Sequence, residues 1–139
     1  MDTADALRDL SVRYASAVDR RDGDALAALF SPDAVLTVVP GPDSSRSETQ
    51  MVGRPEIREL PGQVAAFRRT FHLLGQSHYD VHGSTASGEV YCVAHHLGED
   101  SNYVMYIRYQ DRYSQSGDEE WRIDQRRVQI DWTERRSLR

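Results

Sequence analysis

The chain has 139 residues, and its 17 basic residues are all arginine because the sequence contains no lysine. Without a lysine amine, pyridoxal-phosphate and other Schiff-base chemistry is excluded, as is a Walker-type phosphate loop. The lone Cys92 cannot form an internal disulfide or a multi-thiolate zinc site. The net charge of −5 argues against nucleic-acid and anionic-membrane partners, which select basic surfaces. With no apolar run of about 18 residues and no secretory signal pattern, we expect a cytoplasmic protein.

The first two predicted elements are helices. A helix from about residue 4 to residue 19 is predicted by apolar residues at three- and four-residue spacing, which are Leu7, Leu10, Tyr14 and Val18. A charged segment then interrupts the pattern, and Asp24 is expected to cap a second helix over residues 25–30.

A strand, a loop and a third helix follow. Residues 34–39 are mostly β-branched or apolar and predict a strand that ends at Pro40. Residues 40–53 form a predicted polar loop, long enough to act as a mobile flap. A further helix is expected from Pro55 to residue 69, with a kink or break at Pro61.

Four long strands are predicted in the second half of the chain, at residues 71–81, 89–97, 102–113 and 121–132. Short polar turns separate them, so an antiparallel meander is expected. The helices mostly precede the strands, which is typical of the α+β class. We expect a single domain over residues 1–139, with an ordered core of about 4–132 and a frayed, charged tail over residues 134–139.

Three residues could form a catalytic group. Asp19 stands at the end of the first helix, one residue beyond Val18, and can point into the space between helix and sheet. His72 opens the first strand of the meander, and His96 ends the second, where alternation sends it and His95 to opposite faces. A carboxylate that holds one imidazole nitrogen leaves the other as a general base, with no need for a metal or cofactor. The alternative is structural, with a helix-terminating Asp19 and a core His72.

The second strand of the meander has two unlike faces. One face combines His96 with small or medium side chains that would leave room for a ligand, namely Val90, Cys92 and Ala94. The other face carries Tyr91 and Val93, which are bulkier and are expected to pack, in one interpretation against another subunit.

Two further strand faces allow more than one interpretation. His78, Asp80 and His82 alternate and could bind a divalent metal, but an exposed polar face is the simpler explanation and no metal site is expected. Arg108 and Gln110 share one face of the third strand of the meander, where they could line a pocket or form cross-strand pairs.

Three segments of the chain resemble the SnoaL-like branch of the nuclear-transport-factor-2-like superfamily. They are RYASAVDRRDGDALAALFSPDAV, FHLLGQSHYDVHGSTASGEVYCVAHH and YIRYQDRYSQSGDEEWRIDQRRVQIDW, and with their flanks they cover about residues 5–39 and 70–132. Their order and spacing make the resemblance more specific for fold than for reaction. It implies a conical α+β barrel, in which a curved mixed or antiparallel sheet wraps around the N-terminal helices and leaves a deep pocket.

The resemblance extends to cofactor-free lyases of this superfamily, the scytalone dehydratases and the hexachlorocyclohexane dehydrochlorinases. It implies that Asp19 orients His72 for proton removal, and that further pocket positions are occupied by His96, Arg108 and Gln110. The dehydratases carry a tyrosine where this chain has Val18, so Tyr14, one helical turn earlier, is expected to supply a hydroxyl instead.

The resulting hypothesis is a cofactor-independent lyase or isomerase that acts on a small, mostly apolar, cyclic substrate. One alternative is a non-catalytic module of the same fold that binds a small molecule or a protein. Another is an accessory chain akin to the β subunits of ring-hydroxylating dioxygenases. The resemblance also implies a homo-oligomer, either a dimer or a trimer.

Overall fold

The computed structural model describes all 139 residues of the chain. Its helices are α1 (Thr3–Asp19), α2 (Gly23–Ala27), α3 (Gly53–Ile57) and α4 (Leu60–Gln63). Its strands are β1 (Phe30–Val39), β2 (Thr49–Val52), β3 (Arg69–His82), β4 (Thr85–Leu97), β5 (Ser101–Gln115) and β6 (Trp121–Ser137). None of the helices is both long enough and apolar enough to cross a membrane.

All six strands belong to one mixed sheet, in the order β2-β1-β6-β5-β4-β3. The last four strands form the antiparallel meander that the sequence predicts. β1 lies parallel to β6, and the short β2 pairs antiparallel with β1 at the sheet edge. The α+β class is confirmed, and register shifts in the β3–β4 and β5–β6 ladders mark the bulges that bend the sheet.

The strands differ from the predicted ones at their ends. β1 begins at Phe30 because an irregularity before Val35 admits Pro32 into the strand. β2 lies inside the predicted loop of residues 40–53, and its four residues are too few to give a periodic signal. The prediction of a frayed tail from residue 134 is wrong, because β6 continues to Ser137, which pairs with Ser101 of β5.

The short helices also differ from prediction. The carboxylate of Asp22, not that of Asp24, accepts a hydrogen bond from the Ala25 N–H, so α2 begins earlier than expected. The predicted third helix is replaced by α3, α4 and a series of turns over residues 64–68. Pro61 lies in the first turn of α4, where a missing N–H breaks no helical hydrogen bond.

The core lies between α1 and one face of the sheet, which we call the inner face; the opposite face is the outer face. α1 buries one stripe of side chains against it, which includes Leu7, Leu10, Tyr14, Ala17 and Val18. The strands contribute alternate residues to the same core, among them Val90, Ala94, Tyr109 and Ile123. Removing this apolar surface from water is the main favourable contribution to folding.

A buried ion pair occupies the interior beside the middle of α1. Arg126 of β6 and Asp111 of β5 are paired neighbours without exposed side-chain surface. Nε and Nη2 of Arg126 donate to the two carboxylate oxygens at 2.9 and 2.7 Å, and Nη2 also donates to Oγ of Ser11 at 2.6 Å. The guanidinium carbon lies 4.4 and 4.2 Å from the ring centroids of Tyr14 and Tyr109. This network joins α1 to two central strands.

The outer face is open to solvent and has two parts. Its apolar part is a depression of about 220 Å³ whose lining includes Leu73, Tyr91, Val93, Tyr106 and Trp132. Its polar part is a depression of about 570 Å³ that crosses all six strands and carries both acidic and arginine side chains.

We expect Arg126→Leu to reduce the free energy of unfolding by about 3–5 kcal/mol, because it leaves the buried Asp111 carboxylate without its partner. The measurement is urea unfolding at neutral pH. Arg127→Leu is the matched control: it lies next in the chain on the outer face, half-exposed, and should change stability by no more than about 0.5 kcal/mol. Equal losses in the two variants would contradict the importance of the buried pair.

Candidate active site at the end of the first helix

Asp19 is the last residue of α1, and its carboxylate meets β3. The helix and the strand bring together two residues that are 53 positions apart: Oδ1 of Asp19 lies 2.7 Å from Nδ1 of His72. Oδ2 accepts the backbone N–H of His72 at 3.0 Å, and Oδ1 also accepts the hydroxyl of Thr70 at 2.9 Å. Three donors therefore hold one carboxylate in a single orientation.

These bonds determine the proton positions on His72. An ionised carboxylate can only accept hydrogen bonds, so Nδ1 of His72 carries the proton and Nε2 keeps its lone pair. Burial acts to raise the pKa of Asp19, but the hydrogen bonds from the His72 side chain and backbone and from Thr70 outweigh it, and the pKa is lowered. The His72 side chain is 8% exposed and that of Asp19 is 24% exposed, so the ring is nearly buried and the carboxylate has partial access to solvent.

His96 lies beside this pair on the inner face of β4. Its ring centroid is 6.2 Å from that of His72 and 5.1 Å from the ring of Phe67. Nδ1 of His96 donates to the backbone carbonyl of Tyr103 at 3.1 Å, since a carbonyl can only accept. Burial lowers the pKa of His96, which favours the neutral ring. Neutral His96 therefore presents Nε2 as a hydrogen-bond acceptor.

The predicted ligand-facing residues on the inner face lie in the packed core. Val90, Cys92 and Ala94 are at most 2% exposed, so they belong to the packed core and do not form an open wall. Tyr14 and Val18 are also buried against the sheet. Burial raises the pKa of Tyr14 to about 12 and that of Cys92 to about 11, so neither side chain ionises near neutral pH.

The prediction that Arg108 and Gln110 line the interior pocket is wrong. The inward residues of β5 are Ile107, Tyr109 and Asp111, so Arg108 and Gln110 point to the outer face. Arg108 donates through Nε and Nη2 to the carboxylate of Asp131 at 2.8 and 2.9 Å. Asp131 is the extra residue of a bulge in β6, which directs it toward this arginine.

The other histidines lie away from the pair. His95 shares the outer face with Tyr91 and accepts a hydrogen bond from the side chain of Asn102 at 2.9 Å. His78, Asp80 and His82 are on the outer side of β3, where Nε2 of His78 is 3.6 Å from Glu89. The structure contains no cluster of three or more possible metal-binding side chains.

Sequence analysis missed three residues of the site, which are Arg21, Phe67 and Thr70. Thr70 could have been found, because it alternates with His72 and must share its face of β3. Phe67 lies in turns with no periodicity, and Arg21 contacts residues more than 40 positions away. Neither of the two outer-face depressions includes Asp19, His72 or His96. We place the candidate site at these residues because hydrogen-bonded titratable groups, and not the volume of a depression, determine the available chemistry.

Comparison with known proteins agrees with this geometry at the level of family and fold. The family model of the SnoaL-like domain matches residues 1–127. Uncharacterized proteins of Mycobacterium tuberculosis and Mycobacterium bovis are 35% identical over 88 residues, which is 62% of this chain. The matched segment spans 55% of the length of these relatives.

Solved structures share the fold at low sequence identity. A candidate scytalone dehydratase of Novosphingobium aromaticivorans is 24% identical, with a TM-score of 0.79 over 98% of this chain and 89% of the other. An NTF2-like protein of the same organism, described as having a cystatin-like fold, is 22% identical, with a TM-score of 0.73 over 91% and 80% of the two chains. A hexachlorocyclohexane dehydrochlorinase of Novosphingobium barchaimii is 16% identical, with a TM-score of 0.78 over 96% and 89%. Since the family model covers most of the chain, the protein belongs to the SnoaL-like family and has the NTF2-like fold of that family.

Proposed function

We propose that the protein is a cofactor-independent lyase or isomerase in which His72 is the general base. One observation carries this proposal: Nδ1 of His72 is held at 2.7 Å by the Asp19 carboxylate, which leaves Nε2 free to accept a proton. An imidazole in this tautomer can act as a general base, and a positioned base contributes about 10²–10⁴-fold to a proton transfer.

The reaction that best suits this pair is a β-elimination or a related proton shift. Nε2 of His72 removes a proton from carbon, and the electron pair of the C–H bond forms the new double bond. The leaving group departs from the adjacent carbon with its bonding pair, and the proton on His72 passes to it or to solvent. Asp19 stabilises the imidazolium that forms in between.

His96 is a hydrogen-bond acceptor in this proposal. A neutral ring that donates through Nδ1 cannot donate through Nε2, so it accepts a hydrogen bond from a substrate hydroxyl instead of polarising a carbonyl. Together with the ring of Phe67, this favours a small, mostly apolar, cyclic substrate that carries a hydroxyl. The likeness to a candidate dehydratase and to a dehydrochlorinase supports elimination as the reaction class.

A non-catalytic binding module is the second candidate. The two depressions of the outer face support it, because a molecule bound there would not contact Asp19, His72 or His96. Incubation with a panel of cyclic alcohols, hydroxyketones and halides, followed by mass spectrometry, separates the two candidates: a lyase changes the mass of the small molecule, whereas a binding module retains it unchanged.

We expect Asp19→Asn to lower kcat by about 10²–10⁴-fold on any substrate found in that panel, because an amide can donate to His72 and destabilise the required tautomer. His72→Gln should do the same. His78→Gln removes an exposed histidine of the outer face and is the matched control. Turnover of Asp19→Asn at the wild-type rate would rule out the proposed base.

The proposal needs a neutral His96, and this predicts a pH dependence of stability. The pKa of His96 is lowered in the folded protein, so between that value and the ordinary value of about 6.5 the unfolded chain binds more protons than the folded one. The contribution of His96 is therefore complete above about pH 6.5 and is lost as the pH falls through the folded pKa. His96→Gln should lose less stability than wild type between about pH 7.5 and 5.5 in urea unfolding. Parallel losses in both proteins would contradict this, and His78→Gln should behave as wild type.

We also propose that the outer face binds a second copy of the chain. Phe71, Leu73 and Trp132 are 60%, 56% and 55% exposed there, which is unusual for large apolar side chains of a soluble monomer. The polar part of this face carries acids on β3 and β4 and arginines on β5 and β6. A two-fold axis parallel to the strands would set Asp80 and Glu89 against the partner's arginines, so the face is self-complementary in charge.

This proposal predicts a mass of twice 15.8 kDa in sedimentation at micromolar concentration. Leu73→Asp combined with Trp132→Ser should give a monomer. Val12→Asp is the matched control, because Val12 is an exposed apolar residue on α1. Wild-type protein that sediments as a monomer would refute the interface.

A further inference from the structure

Arg21, two residues after the end of α1, has an unusual backbone conformation. Its φ of 59° lies in the left-handed region, which glycine adopts freely and arginine rarely does. The N–H of Arg21 donates to the Val18 carbonyl at 3.1 Å, and the N–H of Asp22 donates to that of Ala17 at 2.8 Å. This is the pattern of a Schellman motif, in which glycine is the usual residue at the position of Arg21. An arginine at this position calls for a role of its side chain.

The side chain of Arg21 connects three parts of the candidate site. Nη1 donates to Oγ1 of Thr70 at 2.8 Å and to the carbonyl of Val18 at 3.2 Å. Nη2 donates to the carbonyls of Val64 and Phe67 at 3.1 and 3.4 Å. One guanidinium therefore joins the end of α1, the start of β3 and the turns that carry Phe67.

The bond to Thr70 determines which way its hydroxyl points. A guanidinium can only donate, so Oγ1 of Thr70 accepts from Arg21 and has its single proton left for Oδ1 of Asp19, at 2.9 Å. The same carboxylate oxygen accepts from Nδ1 of His72. Arg21 and Thr70 thus form a directed chain of donors that ends on the Asp19 carboxylate, and His72 donates to the same carboxylate from the other side.

The bonds to the two carbonyls act on the other side of the site. The ring of Phe67 lies 5.1 Å from that of His96, so the turn that Arg21 holds also positions the apolar side of the opening. The two effects come from one side chain, since the guanidinium is planar and presents its donors in fixed directions.

We propose that Arg21 is a positioning residue for the Asp19–His72 pair, acting through the Thr70 hydroxyl on the carboxylate and through the backbone of residues 64–67 on the wall beside His96. The role of Arg21 in catalysis rests on the proposed function. Its effect on the hydrogen bonds of Asp19 and His72 can be measured in the protein without substrate. Arg21→Gly is a suitable test variant, because glycine adopts the left-handed backbone conformation without strain and the substitution removes only the side chain.

The test is NMR of the histidine ring nitrogens and of the Nδ1 proton of His72, compared between wild type and variants at about pH 8, where neutral histidine predominates. In Arg21→Gly and Thr70→Val we expect a mixture of tautomers and an Nδ1 proton that exchanges with solvent about ten times faster, whereas Thr70→Ser, which keeps the hydroxyl, restores the wild-type signal. Arg20→Gly is the matched control, since Arg20 is exposed. Urea unfolding of each variant checks that the fold is intact.

The outcomes separate this inference from the proposed function. Unchanged tautomer and exchange in Arg21→Gly overturns the inference, whether or not the protein is an enzyme. Altered tautomer with no turnover of any substrate by wild type supports the positioning role and refutes the lyase. Where turnover is found, kcat of Arg21→Gly should fall by about 10- to 100-fold. The double variant Arg21→Gly/Thr70→Val should lose no more than Arg21→Gly alone, because the effect of Thr70 passes through the bond that Arg21→Gly already removes.

Discussion

The buried ion pair of Arg126 and Asp111 determines how the space between α1 and the sheet is occupied. A fully buried arginine is tolerable only with a partner that satisfies its charge, and here two carboxylate oxygens, the hydroxyl of Ser11 and two tyrosine rings surround it. These groups fill the space beside the middle of α1. The interior that remains for chemistry lies toward the end of the helix, about 12 Å further along its axis, where Asp19 stands eight residues after Ser11.

The end of α1 is a favourable place for a carboxylate that bonds to another part of the chain. The chain reverses there, so the side chain of Asp19 faces the start of β3 instead of the next helical turn. β3 then supplies two side-chain donors, because Thr70 and His72 share its inner face, and the backbone N–H of His72 is the third donor. No further segment is needed to bring Asp19 and His72 together, since α1 and β3 already pack on each other in the core.

Sequence reasoning succeeded where a side chain obeys a local rule. The spacing of Leu7, Leu10 and Tyr14 predicts α1, and the resemblance to a known family pairs Asp19 with His72, which the structure brings within hydrogen-bond distance. It failed for Arg108, because a strand with polar residues at both parities does not reveal which side faces the helix. Tyr109 and Asp111 take the inner side since Asp111 must meet Arg126, a contact that depends on the register between two strands. Long-range pairing of this kind leaves no periodic trace in the sequence.

The distribution of the arginines explains why the candidate site suits a neutral molecule. Arg126 is committed to Asp111, Arg108 to Asp131 on the outer face, and Arg21 gives its bonds to a hydroxyl and three carbonyls. What remains at the opening is one carboxylate, two imidazoles and an aromatic ring. The Asp19 carboxylate is the charged group that bonds directly to His72, at 2.7 Å. Under the proposed function, this carboxylate stabilises the imidazolium that forms as a neutral substrate gives up its proton, so it favours the transition state more than the bound ground state.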